Sequence, residues 1–205
     1  MSEKPRSIIQ RNLFRENQVL FQILGICSSL AVTNTMKNSL VMGLGLSFVT
    51  ALSSLTLSAM RNIIPHRVRM LVQTLVIAAY VIFVDLFLQA YLPDISKQLG
   101  PYVGLIITNC IIMGRAEAYA QMNPPIPSML DGLFAGLGYT LVLMIVSLIR
   151  EVLGFGTIFG MNINFGFETW TIMIMPPAAF FIIGSLIWGL SARAARKAAA
   201  KANKA

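Results

Sequence analysis

Charge is scarce in this sequence, and acidic charge scarcest: charged residues make up 12% of 205, with eight Asp and Glu against sixteen Lys and Arg. A soluble domain carries about 25% charged residues. An ordinary water-facing surface is therefore excluded. Histidine occurs once, at His66 beside Pro65 in a basic stretch, with no companion ligands around it. Cysteine occurs twice, at Cys27 and Cys110, both inside apolar windows, which is no secreted disulfide framework. No stretch has the spacing of a phosphate-binding glycine loop, a Ser/His/Asp triad or a zinc motif. Any NADH, ATP or flavin is accordingly expected on other chains. The first apolar run follows a mixed-charge tail and lacks a small-residue cleavage site after it, so no cleavable signal peptide is expected.

What is abundant is apolar surface: 56% of residues are hydrophobic, and mean hydropathy is +0.72. The charges are bunched, which leaves six charge-limited windows at 17–36, 38–60, 70–93, 98–114, 132–149 and 169–192. A spanning helix needs roughly 17–25 residues, and all six qualify. The sequence predicts one all-α integral membrane domain of six transmembrane helices. Turns are expected at 35–38, 61–69, 93–101 and 115–131. The fifth connection, 150–168, is rich in Gly, Asn and Phe. Phe155, Phe159, Phe165, Phe167 and Trp170 would suit an interfacial aromatic belt.

A net charge of +8 could suggest nucleic acid, but the positions of the charges argue against it. Lys4, Arg6, Arg11 and Arg15 lie in an N-terminal tail (1–16), and Arg193, Arg196, Lys197, Lys201 and Lys204 in a C-terminal tail (193–205). With both tails, 61–69 and 115–131 on one side, that side holds thirteen of the sixteen Lys and Arg. Only Lys37, Lys97 and Arg150 fall on the other. The positive-inside rule then puts both termini in the cytoplasm. The C-terminal tail reads as a solvated helix extension.

The chain also repeats itself. Cys27 is followed 16 residues later by Gly43-Leu44-Gly45, and Cys110 is followed 26 residues later by Gly136-Leu137-Gly138. The expected halves are 17–93 and 94–192. Three crossings per half is an odd number, so the second half is inverted relative to the first. Inverted repeats are a common plan of membrane transporters, with the working site near the midplane.

Both cysteines fall at middle depth on segments the repeat relates. Two thiolates there could serve a soft metal centre, but an iron–sulfur cluster usually takes four cysteines, so a partner chain would supply the rest. Free cysteine is equally a small apolar core residue. Ser28, Ser29, Thr33, Asn34 and Thr35 surround the first cysteine, and Thr108, Asn109 and Gly114 the second. Polar side chains of this kind can satisfy unwound backbone inside a membrane protein, or simply permit close helix packing. Helices one and four are therefore candidates for short or broken half-helices. Asp85 lies 15 residues past Met70 in an apolar run, about 22 Å along a helix. An acid at that depth is a functional candidate, or a structurally paired group. Asp131, near a helix start, is favoured there by the dipole. Arg115 with Glu117, and Arg150 with Glu151, read as boundary charges.

The stretch Leu105-Ile-Ile-Thr-Asn-Cys-Ile-Ile-Met-Gly-Arg-Ala-Glu-Ala118 resembles the hallmark of the paired membrane subunits of the Nqr and Rnf complexes. Nqr is the Na+-translocating NADH:quinone oxidoreductase. The likeness continues through Leu24-Gly-Ile-Cys-Ser-Ser-Leu-Ala-Val-Thr33, Arg61-Asn-Ile-Ile-Pro-His-Arg-Val-Arg69 and Asp94-Ile-Ser-Lys-Gln-Leu99. It runs on through Ile126-Pro-Ser-Met-Leu-Asp-Gly132 and Met175-Pro-Pro-Ala-Ala-Phe-Phe181, so it covers roughly residues 10–190. Ser28 and Gly104 stand where the E-type Rnf member typically carries proline, which favours the Nqr branch over the Rnf one.

The resemblance implies a component of a Na+-transporting, ubiquinone-reducing translocase in the bacterial inner membrane. Cys27 and Cys110 would be two of four ligands to an intramembrane [2Fe-2S] cluster, with the paralogous E-type subunit supplying the other two. That centre would carry electrons from a ferredoxin-like domain to a covalent flavin. FMN, FAD, riboflavin and NADH would reside elsewhere in the six-subunit complex, which also contains the A, B, C and F types. Asp85 and Asp131 match acidic positions suspected of a part in Na+ passage. Two readings of another class remain: a non-redox inverted-repeat secondary transporter, and a purely structural subunit.

Overall fold

A computed structural model describes residues 24–91, 93–158, 161–162 and 175–202. The helices in chain order are α1 (Ile26–Val32), α2 (Met36–Met60), α3 (Arg69–Tyr91), α4 (Pro93–Ile107), α5 (Cys110–Arg115), α6 (Pro125–Phe155) and α7 (Pro176–Ala202). A 3-10 turn, His66–Val68, leads into α3, and a π-turn, Ala116–Ala120, follows α5. One two-residue antiparallel ladder pairs β1 (Thr157–Ile158) with β2 (Met161–Asn162). The described architecture is otherwise all-helical. Among the described residues, three helices, α2, α3 and α6, are long and apolar enough to cross a membrane. The N-terminal tail and Phe159, Phe165, Phe167 and Trp170 lie outside the described residues. Phe155 ends α6 and is exposed.

The fourth window departs from a single helix. Its expected preceding turn at 93–101 is helical, because Pro93 opens α4, where a missing N–H costs nothing. The helix then stops at Ile107, and the chain breaks at Thr108 and Asn109 before α5 starts at Cys110. In the first window the described helix is also short. Gly25, left-handed at φ 81°, precedes a helix of seven residues. The loop expected at 115–131 shrinks, since the π-turn occupies its first part and α6 begins at Pro125. The basic tail continues α7 to Ala202.

The centre of the molecule is the crossing of α2 and α6. Apolar surface gives helices no reason to associate inside lipid, so close approach through small residues does the work. On α2 the facing residues are Gly43, Ser47, Thr50 and Ser54; on α6 they are Gly132, Gly136 and Thr140. A methyl added at Gly136 would sit 2.5 Å from Ser47 Cα, and one at Gly132 would sit 2.8 Å from the Thr50 carbonyl oxygen. These backbones touch. The hydroxyls between them are satisfied locally: Ser47 Oγ donates to Gly43 O at 2.8 Å, Thr50 Oγ1 to Leu46 O at 2.6 Å and Thr140 Oγ1 to Gly136 O at 2.8 Å. Each bonds the carbonyl one turn back, so no polar group is stranded.

The contacts are antiparallel and reciprocal. Gly43 meets Thr140 while Gly136 meets Ser47. A shift of 93 residues carries Gly43 to Gly136 and Ser47 to Thr140. The Ser47 and Thr140 hydroxyls lie 3.3 Å apart at this crossing. Leu46, Val49, Ile111, Ile112, Tyr139, Leu143 and Val146 pack around this crossing as the core. The long helix α3 is the opposite case, burying only Gln73, Ile77 and Val81, a single stripe.

Candidate metal centre

Two helix starts, distant in sequence, meet in space. Cys27 is the second residue of α1 and Cys110 the first of α5. Cys110 Sγ accepts the backbone N–H of Gly25 at 2.9 Å. The second cysteine's sulfur thus touches the backbone two residues before the first cysteine. Cys27 is exposed and Cys110 half-buried, and neither forms a disulfide.

The two starts are made differently. At the first, Gly25 takes the left-handed conformation, where any side chain is strained, and a Cβ there would lie 2.6 Å from Ile111 Cδ1. At the second, Asn109 caps α5 by accepting Ile111 N–H on Oδ1 at 3.0 Å. Its amide donates to Ser28 Oγ at 3.0 Å, and Ser28 Oγ lies 2.5 Å from the Tyr139 hydroxyl on α6. Asn109, Ser28 and Tyr139 are all buried.

Each half-helix is also held at its far end from α6. Arg115, the last residue of α5, is buried and grips both carboxylate oxygens of buried Asp131. Its guanidinium also lies over the Tyr119 ring, 5.7 Å from the centroid. At the other end of α6, Arg150 Nη1 donates to Thr33 Oγ1 at 2.7 Å and to Leu30 O at 3.5 Å, closing the C-terminus of α1. Nη2 reaches Met175 O at 3.4 Å. Glu151 Oε2 accepts the Met36 N–H at 2.6 Å, capping the start of α2. Arg115, Arg150 and Glu151 are thus interior groups, not boundary charges: they satisfy helix ends or pair with a buried acid. Only Glu117 keeps a boundary character. It is partly exposed, pairs with Arg69, and takes a hydrogen bond from buried Gln73 at 3.1 Å.

The two acids singled out in the sequence do not share a site. Asp131 is the seventh residue of α6, past the first turn where the helix dipole acts, and its compensation comes from Arg115. Asp85 lies half-exposed on α3, where Oδ2 accepts from Gln89 Nε2 at 2.8 Å. Sequence reasoning missed the roles of Tyr139, Arg150 and Glu151. The available signal was two adjacent charges followed by Val152-Leu153, so that apolar sequence continues past them.

No group of three or more His, Cys, Asp or Glu could hold a metal ion among the described residues. The donor set is two soft thiols, one of them exposed, with a backbone N–H aimed at a sulfur. Such N–H···S bonds accompany cluster thiolates and tune them. Half a four-thiolate site fits these residues, and a complete one does not.

The features together define a class: a mainly helical membrane protein that brings two short, cysteine-bearing helices together beside a close helix crossing. Residues 6–187 match the family described as "Rnf-Nqr subunit, membrane protein". The chain belongs to that family of membrane subunits. It is 48% identical over 196 residues to the D-type subunit of the Na(+)-translocating NADH-quinone reductase of Chlamydia abortus, a match covering 90% of this chain and 92% of the relative. It is 49% identical over 195 residues to the corresponding D-type subunit of Yersinia enterocolitica, covering 92% and 93%.

Proposed function

We propose that this chain is the D-type membrane subunit of a Na+-translocating NADH:quinone oxidoreductase in a bacterial inner membrane. In that reading Cys27 and Cys110 supply half the ligands of an intramembrane [2Fe-2S] centre, and the paralogous E-type subunit supplies the rest. When bound, the centre supplies one-electron transfer within the membrane. The observation that carries the reading is the Gly25 N–H to Cys110 Sγ contact, which joins the two cysteine-bearing helix starts in a chain similar to the D-type subunits. The exposure of Cys27 suits a centre shared with another chain.

Six crossings in two inverted halves, 17–93 and 94–192, accord with the reciprocal contacts of α2 and α6. Cytoplasmic termini accord with the charge count. Labelling of introduced cysteines is expected to find 61–69 and 193–205 accessible from the cytoplasm only, and periplasmic labelling of 61–69 would reverse the orientation.

Of the acids, Asp85 is the better placed for cation passage, since its partner among the described residues is a neutral amide. Asp131 serves passage only by exchanging Arg115 for a cation. Asp85→Asn is expected to weaken the apparent Na+ affinity of an assembled complex, and an unchanged Na+ dependence removes Asp85 from the path.

The deciding experiment is Cys27→Ala or Cys110→Ala in the whole complex, read by iron and sulfide content, EPR and quinone reduction. Losing one of four thiolates is expected to abolish the centre and quinone reduction together. Assembly is retained, because a thiol traded for a methyl leaves a small cavity. An assembled variant with full iron and normal quinone reductase activity would sink the assignment.

A further inference from the structure

We propose that Ser28, Asn109 and Tyr139 form a clasp that holds Cys27 and Cys110 as one preorganised pair of thiols before any metal binds. The hydrogen-bond inventory determines how the clasp closes. A serine hydroxyl has one hydrogen to donate and two lone pairs to accept with. Ser28 Oγ lies 3.1 Å from Gly25 O, an acceptor only, so the serine hydrogen goes there. The Asn109 amide donates to Ser28 Oγ. Tyr139 must then donate its own hydrogen to Ser28 Oγ across 2.5 Å. Every valence of the Ser28 oxygen is used.

The same inventory orients Asn109. Its Oδ1 accepts Ile111 N–H, so its nitrogen faces Ser28, and an amide flip would lose both bonds. The consequence is a link between the residue just after Cys27 and the residue just before Cys110, fastened to α6 through Tyr139. Ser28 is 2% exposed, Asn109 4% and Tyr139 0%, so water does not compete for these bonds. A buried hydrogen bond left half-made costs more than one never made, which makes the clasp a two-sided constraint. Tyr139 touches neither sulfur in this network and acts on them only by position, as a positioning residue.

The clasp bears on the iron centre only through the cysteine-ligand reading above, and its test needs no iron. In the intact complex, after iron is removed with a chelator, a short bifunctional thiol reagent such as dibromobimane is applied. The Cys27–Cys110 bridged peptide is then quantified by mass spectrometry. The parent is expected to bridge readily. Tyr139→Phe keeps the ring and its packing, and is expected to slow bridging roughly threefold to tenfold, the range that loss of one buried hydrogen bond implies. Asn109→Ala is expected to slow it further. In the iron-loaded complex, Tyr139→Phe is expected to change the EPR line shape or midpoint potential of the intramembrane centre while iron content stays the same. A parent that does not bridge overturns the clasp, as does a rate unchanged in both variants. If bridging responds to the clasp while Cys27→Ala and Cys110→Ala complexes keep their iron, the clasp stands and the ligand reading falls.

Discussion

The half-helices α1 and α5 present one cysteine each, yet they are built and anchored with different chemistry. The α1 start is a backbone solution: Gly25 adopts φ 81°, and its backbone N–H serves the Cys110 sulfur. The α5 break is a side-chain solution, with Asn109 capping Ile111 and reaching Ser28. Their far ends differ too. An arginine from α6 closes the carbonyl end of α1, whereas α5 carries its own arginine toward an acid of α6. What the two share is the support, since Asp131, Tyr139 and Arg150 all project from α6. Two short helices with different local chemistry can thus be set side by side when both are fixed to one long helix.

That contrast can be broken at each anchor. The largest effect is expected at the α5 end. Asp131→Leu leaves Arg115 buried without its carboxylate, a loss of about 3–5 kcal/mol, and the chain should accumulate poorly in membranes. The double variant Arg115→Leu with Asp131→Leu should recover accumulation, because an apolar pair of similar size replaces the ion pair. If the double variant accumulates no better, the pair has a role other than mutual compensation.

Next comes the glycine at the start of α1. Gly25→Ala puts a side chain at a left-handed position, 2.6 Å from Ile111 Cδ1. A cost of about 1–3 kcal/mol should lower the thermal midpoint of the solubilised complex. The asparagine break should be more forgiving. Asn109→Ser keeps a short N-cap acceptor for Ile111 N–H and loses the amide donation to Ser28, about 1 kcal/mol. Equal losses at the two positions would contradict the distinction between a backbone and a side-chain solution. The smallest effect is expected at the crossing, where Ser47→Ala removes a hydroxyl whose partners are its own helix and Thr140. A change within about 0.5 kcal/mol is expected there.

Much of this was legible in the sequence, for physical reasons. Long charge-poor windows have few fates, and three of them became the helices α2, α3 and α6. Polar residues around Cys110 forewarned of a break, because backbone freed inside an apolar region needs partners. The charged pair at the end of the fifth window was misread, since a window defined by the absence of charge stops at the first charge. The helix runs on through Arg150 and Glu151 to Phe155 because helix ends elsewhere await those groups. Proline misled at 93–101: Pro93 stands at a helix start, where its missing N–H has no partner to lose, and Pro101 lies inside α4 without ending it. The clasp was invisible for another reason: Ser28, Asn109 and Tyr139 stand on three elements, and only the fold joins them.

The reciprocal crossing of α2 and α6 carries a consequence for how such a gene can change. One inserted residue turns a helix by about 100°, which would swing its glycines away from the other helix. The intervals Gly43 to Ser58 and Gly136 to Glu151 are both fifteen residues. Ser58 Oγ donates to Asn123 O at 2.6 Å just before α6, and Glu151 accepts from the start of α2, so each interval is closed on the opposite helix. The cysteine-to-glycine intervals differ by ten residues, the π-turn occupying part of the longer one. Insertions and deletions are thus expected to be purged between positions 43 and 58 and between 136 and 151. A one-residue deletion in either of these intervals should fail to accumulate, whatever residue is removed.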